Sequence, residues 1–235
     1  MLPDPASHRY CGRHMNLAPV RRSKAEAQAA YGRRSRGYER LEGRFERRAR
    51  ELSERRLAVQ PGEVVLEIGS GPGASLVALA RAVEPTGRVV GLDLSPGMHE
   101  VAQHRLSGTS LTDRVVLVLG DGAYLPVRAA SCDAVFSSFT VELFDTPELP
   151  IVLREARRVL RREGRLGLVS LELIDPPPLT MRAYLLAHRL MPRLADCRPI
   201  PVIDLVQHAG FVDLDCERTT ILGIPVTVVT AHVAG

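Results

Sequence analysis

Five short apolar runs stand out along the 235 residues, at 64–68, 88–92, 115–119, 132–139 and 166–171. Each is too short for a helix and too evenly apolar for a strand with one wet face. Each therefore reads as a strand buried on both sides of a sheet. Between the runs, apolar residues recur every three or four positions. That period predicts helices over 74–83, from Ser95 to about 106, and over 147–160. In the last of these Leu149, Val152, Ala156 and Leu160 share one side, and Gly164 is read as closing the segment. Ser95 before Pro96 is a helix start, a capping hydroxyl followed by a residue that needs no N–H. Strands and helices alternating at this pace predict an α/β fold with a doubly wound, mainly parallel sheet.

The last third departs from that rhythm. Pro176, Pro177 and Pro178 make a stiff break, a helical insertion follows over 179–194 within a segment at about 175–200, and a short helix is expected over 202–209. Two further runs, 211–217 and 225–232, bring the strands to seven. The link at 219–224 is too short for a parallel crossover, so the two must form an antiparallel pair at one edge. Ahead of the first strand, Ala25, Ala27, Ala29 and Ala30 favour a helix that Gly32 and Gly37 interrupt. From Glu39, Leu41, Phe45, Ala49 and Leu52 recur at helical spacing. Residues 1–20 hold three prolines and no period, and read as a disordered tail in which Met15 is an alternative start. The expected organisation is a tail (1–20), a helical arm (21–58) and one domain (59–235).

Charge sharpens that division. Residues 21–56 hold 13 Arg/Lys against 6 Asp/Glu, a net +7, which leaves the rest of the +4 chain at −3. A basic arm suits nucleic acid, an anionic membrane surface or an acidic substrate, and equally a solvated arginine-rich helix face. With 45% hydrophobic residues the chain can bury the core of one domain. No apolar run approaches the roughly 18–20 residues of a membrane span, and the first residues lack the apolar centre of a secretory signal. Cys11, Cys132, Cys197 and Cys216 are widely spaced with no CxxC pair. They read as reduced thiols in a cytoplasmic protein, not as a disulfide framework or a metal site.

The candidate chemistry begins where the first run meets its glycines, Glu67-x-Gly69-x-Gly71-x-Gly73. Glycines there let the backbone turn tightly and approach a ligand. A dinucleotide corner wants GxGxxG, and here the final interval is one residue short. Glu67, Asp93 and Asp121 close three successive strands. Sheets of this kind bind ligands beyond the carboxyl ends of their strands, at the reversal of strand order, so all three acids would line one crevice. Such a crevice welcomes a cationic ligand and repels a pyrophosphate. A strand-end aspartate can equally cap a helix, and Asp93 stands two residues before Ser95.

The ordered segments VLEIGSGPG, VVGLDLSPGM, VLGDGAYLPV, CDAVFSSF and EARRVLRREGRLGLVS resemble the class I S-adenosylmethionine-dependent methyltransferases. The resemblance is strongest to the subgroup with ubiquinone and menaquinone C-methyltransferases, and it covers roughly residues 31–235. It implies a Rossmann-like, seven-stranded sheet in the order 3-2-1-4-5-7-6 with strand 7 antiparallel, and S-adenosylmethionine as cofactor. By that resemblance Gly69 and Gly71 approach the methionine part, and Glu67 orders water or the ammonium end. Asp93 accepts the ribose hydroxyls, while Leu94 lies against the adenine. Asp121 accepts from the adenine amino group, Gly122 leaves room for the ring, and Ser138 faces the sulfonium. Tyr31 and Tyr38 stand where relatives carry tyrosine–aspartate pairs, but Gly32 and Glu39 replace the aspartates; the two tyrosines either close over the cofactor or pack in the core.

Methyl transfer by in-line displacement needs positioning, and a base only where the acceptor must lose a proton. Candidate bases are His188 and Tyr184, four apart in the insertion, with His104, His208 and Asp196 behind them. The same residues could equally be surface or packing positions. No Asn/Asp-Pro-Pro-Tyr motif of amine methylation is present, and no Pro-Cys nucleophile. The main expectation is a small aromatic or lipid- and quinone-like acceptor beneath the Leu/Met/Pro-rich 172–200 segment, with the basic arm giving peripheral access to an anionic membrane. An RNA methyltransferase using that arm is a second expectation, weakened by the 4% aromatic content and the lack of an appended RNA-binding domain. A non-catalytic cofactor-binding partner or sensor is a third. No stable nucleic-acid partner is expected.

Overall fold

The structure, a computed structural model, describes residues 17, 20, 46–190 and 197–235. Tyr31, Tyr38 and Asp196 lie outside those residues, as does most of the stretch read as tail and arm.

Seven strands form one sheet in the order β3-β2-β1-β4-β5-β7-β6. They are β1 (Val64–Ile68), β2 (Arg88–Asp93), β3 (Val115–Leu119), β4 (Cys132–Ser138), β5 (Leu160–Leu171), β6 (Phe211–Ile221) and β7 (Ile224–Val233). The first five run parallel, and β7 pairs antiparallel with both β5 and β6. Helices α1 (46–57), α2 (Ala74–Ala82), α3 (Pro96–Ser107), α4 (Leu149–Val159), α5 (Leu179–Leu190) and α6 (Val202–His208) complete the chain. The expected α/β class, strand order and antiparallel seventh strand all stand.

The period of two along a strand sorts its side chains onto two faces. On β1, Leu66 and Ile68 join the larger cluster with α4 and α6, while Val65 joins the cluster with α2, α3 and Leu57 of α1. Glu67 shares the face of Val65, and this alternation turns its carboxylate toward the helical arm. Leu17, within the stretch read as a disordered tail, is buried against the first cluster.

Three local expectations are corrected. β5 starts at Leu160, where a helix end was expected, because Leu160 pairs with Cys132 before a bulge returns the register at Arg165. Glu163 (φ +60°) and Gly164 lie inside that bulge, so Gly164 bends a strand and does not close a helix. At the other edge β6 runs on to Ile221, and only Leu222 and Gly223 link it to β7. Both have positive φ (51° and 77°), as the tight hairpin turn of matching twist requires. Leucine is a poor residue for that turn, which is why the pattern suggested a longer link.

The arm helix α1 is pinned at its C-terminal end. Arg165 of β5 donates to both carboxylate oxygens of Glu63 and to the carbonyls of Leu57 and Ala58. Arg56 pairs with Asp215 and Glu217 of β6. A Cβ at Gly167 would stand 3.3 Å from Leu57, so that glycine makes the seat in which α1 rests.

Candidate functional site

At the carboxyl end of β1 the chain turns through Gly69, Gly71 and Gly73, all with positive φ (74°, 50° and 80°). Side chains rarely adopt that region, so the turn needs glycine for its backbone alone. The first two glycines differ in what surrounds them. A Cβ on Gly69 would fall 2.2 Å from the Thr140 side chain, so Gly69 makes room for Thr140. A Cβ on Gly71 would meet nothing within 4 Å; it faces open space. Gly71 is the point where the backbone is bare to a ligand.

Asp93, at the end of β2, holds this loop in place. Its Oδ2 accepts from the Gly71 N–H and its Oδ1 from the Ser95 N–H, both at 2.8 Å. Ser95 itself caps α3, its Oγ accepting from the Met98 N–H. Asp93 therefore ties two loops together and does not cap the helix. A carboxylate has about four acceptor positions, so two printed bonds leave it capacity for a pair of hydroxyls. Burial pushes Asp93 above the ordinary carboxylate value, and the Ser95 and Gly71 N–H groups, His99 and the Leu94 N–H pull it back. Leu94 is half-buried between Asp93 and Ser95. Past β3, Asp121 accepts from the Ala123 N–H at 2.9 Å. The space over Gly122 is taken by Ile68 and Phe144, each within 3 Å of where its Cβ would be.

Glu67 is the unusual group. It is 2% exposed, and its Oε2 is buried with no hydrogen-bond partner. Burial pushes it well above the ordinary carboxyl value and the neighbouring Glu54 adds to the rise; Arg50 and the Ser75 hydroxyl oppose it, and Asp93 adds a smaller upward push. Glu54 is itself raised by burial against the pull of Ser75 and Arg50. Arg50 and Glu54 come from one face of α1, four residues apart with Nε and Oε1 at 3.5 Å. The arm thus brings a charged pair down onto the acid of the glycine corner. Nothing in the sequence signalled this pair, because Arg50 and Glu54 sit in an arginine- and glutamate-rich helix where every turn looks alike.

Ser138 ends β4, half-buried, and its carbonyl accepts from the Thr140 hydroxyl at 3.1 Å. Between them Phe139 holds φ +50°, a strained conformation for a bulky buried residue. That kink sends the Phe139 side chain into a third apolar cluster, with Ala49 of α1, Val169 and Leu171 of β5, and Val226 and Val228 of β7. Leu52, Tyr184 and Cys197 pack against the same cluster. Helix α5 therefore covers the ends of β5 and β7, beside the glycine corner. Of the candidate bases, His188 is buried on the inner side of α5. The Tyr184 hydroxyl donates to the Cys197 carbonyl at 2.6 Å. His104 and His208 are exposed on α3 and α6, the latter bonded through Nδ1 to the Asp204 carbonyl. Arg198, fully buried, donates to the Phe144 carbonyl and the Thr146 hydroxyl and anchors the loop after β4.

Residues 65–164 match the family profile described as a methyltransferase domain. A demethylmenaquinone methyltransferase of Lactobacillus johnsonii is 33% identical over 116 residues, covering 49% of this chain and 47% of that protein. The nocamycin O-methyltransferase of Saccharothrix syringae is 36% identical over 127 residues, covering 54% and 43%. The chain spans about half the length of the curated relatives it matches. Among solved structures, an S-adenosylmethionine-dependent methyltransferase from Aquifex aeolicus superposes with a TM-score of 0.57 at 20% identity, over 78% of this chain and 89% of that one. That likeness concerns the fold.

The corner fits S-adenosylmethionine on its own chemistry. An orphaned buried carboxylate oxygen on Glu67 suits an ammonium group, the bare Gly71 backbone admits a close ligand, and Asp93 has room for two hydroxyls. In strand order, in the methyltransferase domain matched over residues 65–164 and in this acid-lined corner, the chain is similar to the class I S-adenosylmethionine-dependent methyltransferases.

Proposed function

We propose that the chain is a methyltransferase that passes a methyl group from S-adenosylmethionine to a small, aromatic or quinone-like acceptor. The observation that carries the cofactor half is Glu67, a buried carboxylate oxygen without a partner beside a glycine that faces open space. When bound, S-adenosylmethionine supplies a methyl carbon already activated by its sulfonium. The chain's residues have the work of orientation. Glu67 holds the cationic end, Asp93 the ribose hydroxyls, and Asp121 the adenine edge. Tyr38, outside the described residues, and Leu94 and Ser138 belong to the same proposal as its outer contacts, whereas the room over Gly122 expected for the ring is filled by Ile68 and Phe144.

The acceptor half is supported by the third apolar cluster. Phe139, Leu171 and Val226, all buried, gather with Tyr184 under α5 where β4 and β5 end and β7 begins, and this apolar neighbourhood agrees with an organic acceptor. The relatives named for menaquinone and nocamycin methylation agree with an organic acceptor of this kind. A base is needed only for acceptors that must lose a proton; His188 and Tyr184 are the candidates on the covering helix. In the described part of the arm Arg50 pairs with Glu54 and Arg56 with Asp215 and Glu217, while Arg47, Arg48 and Arg55 are exposed.

Calorimetry with S-adenosylmethionine tests the cofactor, and transfer of a labelled methyl to a panel of quinone precursors, phenols, fatty acids and RNA tests the acceptor. Asp93→Ala should weaken cofactor binding by about 2–3 kcal/mol, the loss of charge-assisted hydrogen bonds. Unchanged affinity would remove Asp93 from the site, and label found only in RNA would replace the acceptor reading.

A further inference from the structure

Helix α5 is apolar on two opposite sides. Its inner side, with Met181, Tyr184 and His188, packs on the protein. At 100° per residue, Leu179, Ala183, Leu186 and Leu190 fall within about 60° of arc on the opposite side. There they meet solvent. Leu179 is 80% exposed, Leu186 57% and Leu190 68%. Leu222, in the β6–β7 turn, is 72% exposed, and Thr180 donates to the Gly223 carbonyl next to it, so the turn extends the stripe at its N-terminal end. Scattered exposed leucines need no explanation, but four gathered along one helix and its neighbouring turn do.

The charges beside the stripe say what it meets. Arg182 and Arg189, both exposed, lie together on one flank about 70–90° from its centre. From Pro176 to Leu190 the chain carries no acidic residue, and neither does 218–226 around the turn; the acids that border these stretches are Asp175, ahead of the three prolines, and Glu217, which pairs with Arg56. A second copy of the chain is a poor occupant, since a two-fold contact would bring two copies of this basic helix together with no acid on either to answer the arginines. Exposed leucines with basic flanks and no acids are the pattern of a helix lying in the interface of an anionic bilayer.

We propose that the outer face of α5, with Leu222, docks the protein on anionic membrane surfaces, the leucines entering the headgroup boundary and Arg182 and Arg189 meeting lipid phosphates. This surface is distinct from the basic arm and stands apart from the methyl-transfer reading. It does place the helix that covers the apolar cluster at the membrane, where a lipid-soluble acceptor would arrive.

The test is co-sedimentation of the full chain at low salt with vesicles of phosphatidylglycerol and phosphatidylcholine, against vesicles of phosphatidylcholine alone. Wild type should bind the anionic vesicles and not the neutral ones. Leu186→Ser with Leu190→Ser should lower that affinity by about tenfold or more. Arg182→Gln and Arg189→Gln should each lower it by about fivefold, and the loss should shrink as salt is raised. Circular dichroism and calorimetry with S-adenosylmethionine should be unchanged in all variants, which separates this result from any failure of the cofactor reading. Absence of binding to anionic vesicles overturns the proposal. So does full binding by the leucine pair, which would assign the attraction to the arm, and so does a wild-type dimer that the leucine pair converts to monomer.

Discussion

Two glutamates are buried at the carboxyl ends of strands in this sheet, and they live under opposite conditions. Glu172, just past β5 and 5% exposed, accepts from the Nε and Nη2 of Arg218 at 2.8 and 2.9 Å and from the Thr227 hydroxyl. Glu67, at the end of β1 and 2% exposed, has an oxygen with no partner and a second acid, Glu54, nearby. Burying a carboxylate without compensation is costly, and folds normally avoid it. Glu172 shows how this fold satisfies such a group when the purpose is structural. Glu67 keeps one oxygen without a partner, near Gly71, where an added Cβ would meet nothing within 4 Å. The contrast separates an acid whose oxygens are paired from one with an oxygen left over, with no reference to any relative.

The sharpest way to break the contrast is at its structural end. Glu172→Ala should cost about 3 kcal/mol in urea denaturation, because it strands the buried Thr227 hydroxyl and removes a bidentate pair. Cofactor affinity should be nearly untouched. A Glu172→Ala protein that keeps its stability but loses S-adenosylmethionine would reverse the roles assigned to the two acids.

Gly71→Ala tests the open side of the corner. Its φ of +50° makes alanine unfavourable by about 1–2 kcal/mol, yet the added methyl meets no protein atom within 4 Å. Stability should fall only by that amount, while cofactor affinity falls about tenfold or more because the methyl occupies ligand space. Equal affinity in the variant would show that the space over Gly71 is not used.

Glu67→Gln is the finest probe, since it works through pH. Well below pH 4.5, folded and unfolded chains both hold the Glu67 proton. As pH rises further, the unfolded chain releases it first and the folded chain retains it, so ligand-free stability declines until the raised folded value is passed. The glutamine variant lacks that decline. Its stability relative to wild type should improve by about 1 kcal/mol or more between pH 4.5 and 8. Bound S-adenosylmethionine should abolish the difference in slope by favouring the ionised carboxylate. Parallel stability–pH curves in the ligand-free proteins would mean that Glu67 is not held in its neutral form.

Much of the site was legible because its signals are local. Glu67 and Asp93 each end an apolar run, with Asp121 just past the third, and the glycine interval is a property of nine consecutive residues. The charged pair that α1 adds, Arg50 and Glu54, was not legible, nor was Thr140 as the reason for Gly69. Those contacts join segments far apart in the chain, and helix periodicity does not say which of two polar faces will be turned inward. The outer leucines of α5 were visible as composition, but composition reads the same for a pocket roof and for an exposed stripe.

Taken alone, the sequence determined the α/β class, the seven strands, the antiparallel edge pair and the glycine corner with its acids. These follow from short-range rules: run length, period, link length and the backbone freedom of glycine. The tertiary structure decided where β5 begins, how tightly β6 turns into β7, and above all which polar groups are satisfied. A carboxylate carries the same chemistry in every sequence. Whether it is a strut like Glu172 or an open acceptor like Glu67 depends on what packing brings within about 3 Å of it, and only the folded chain sets that.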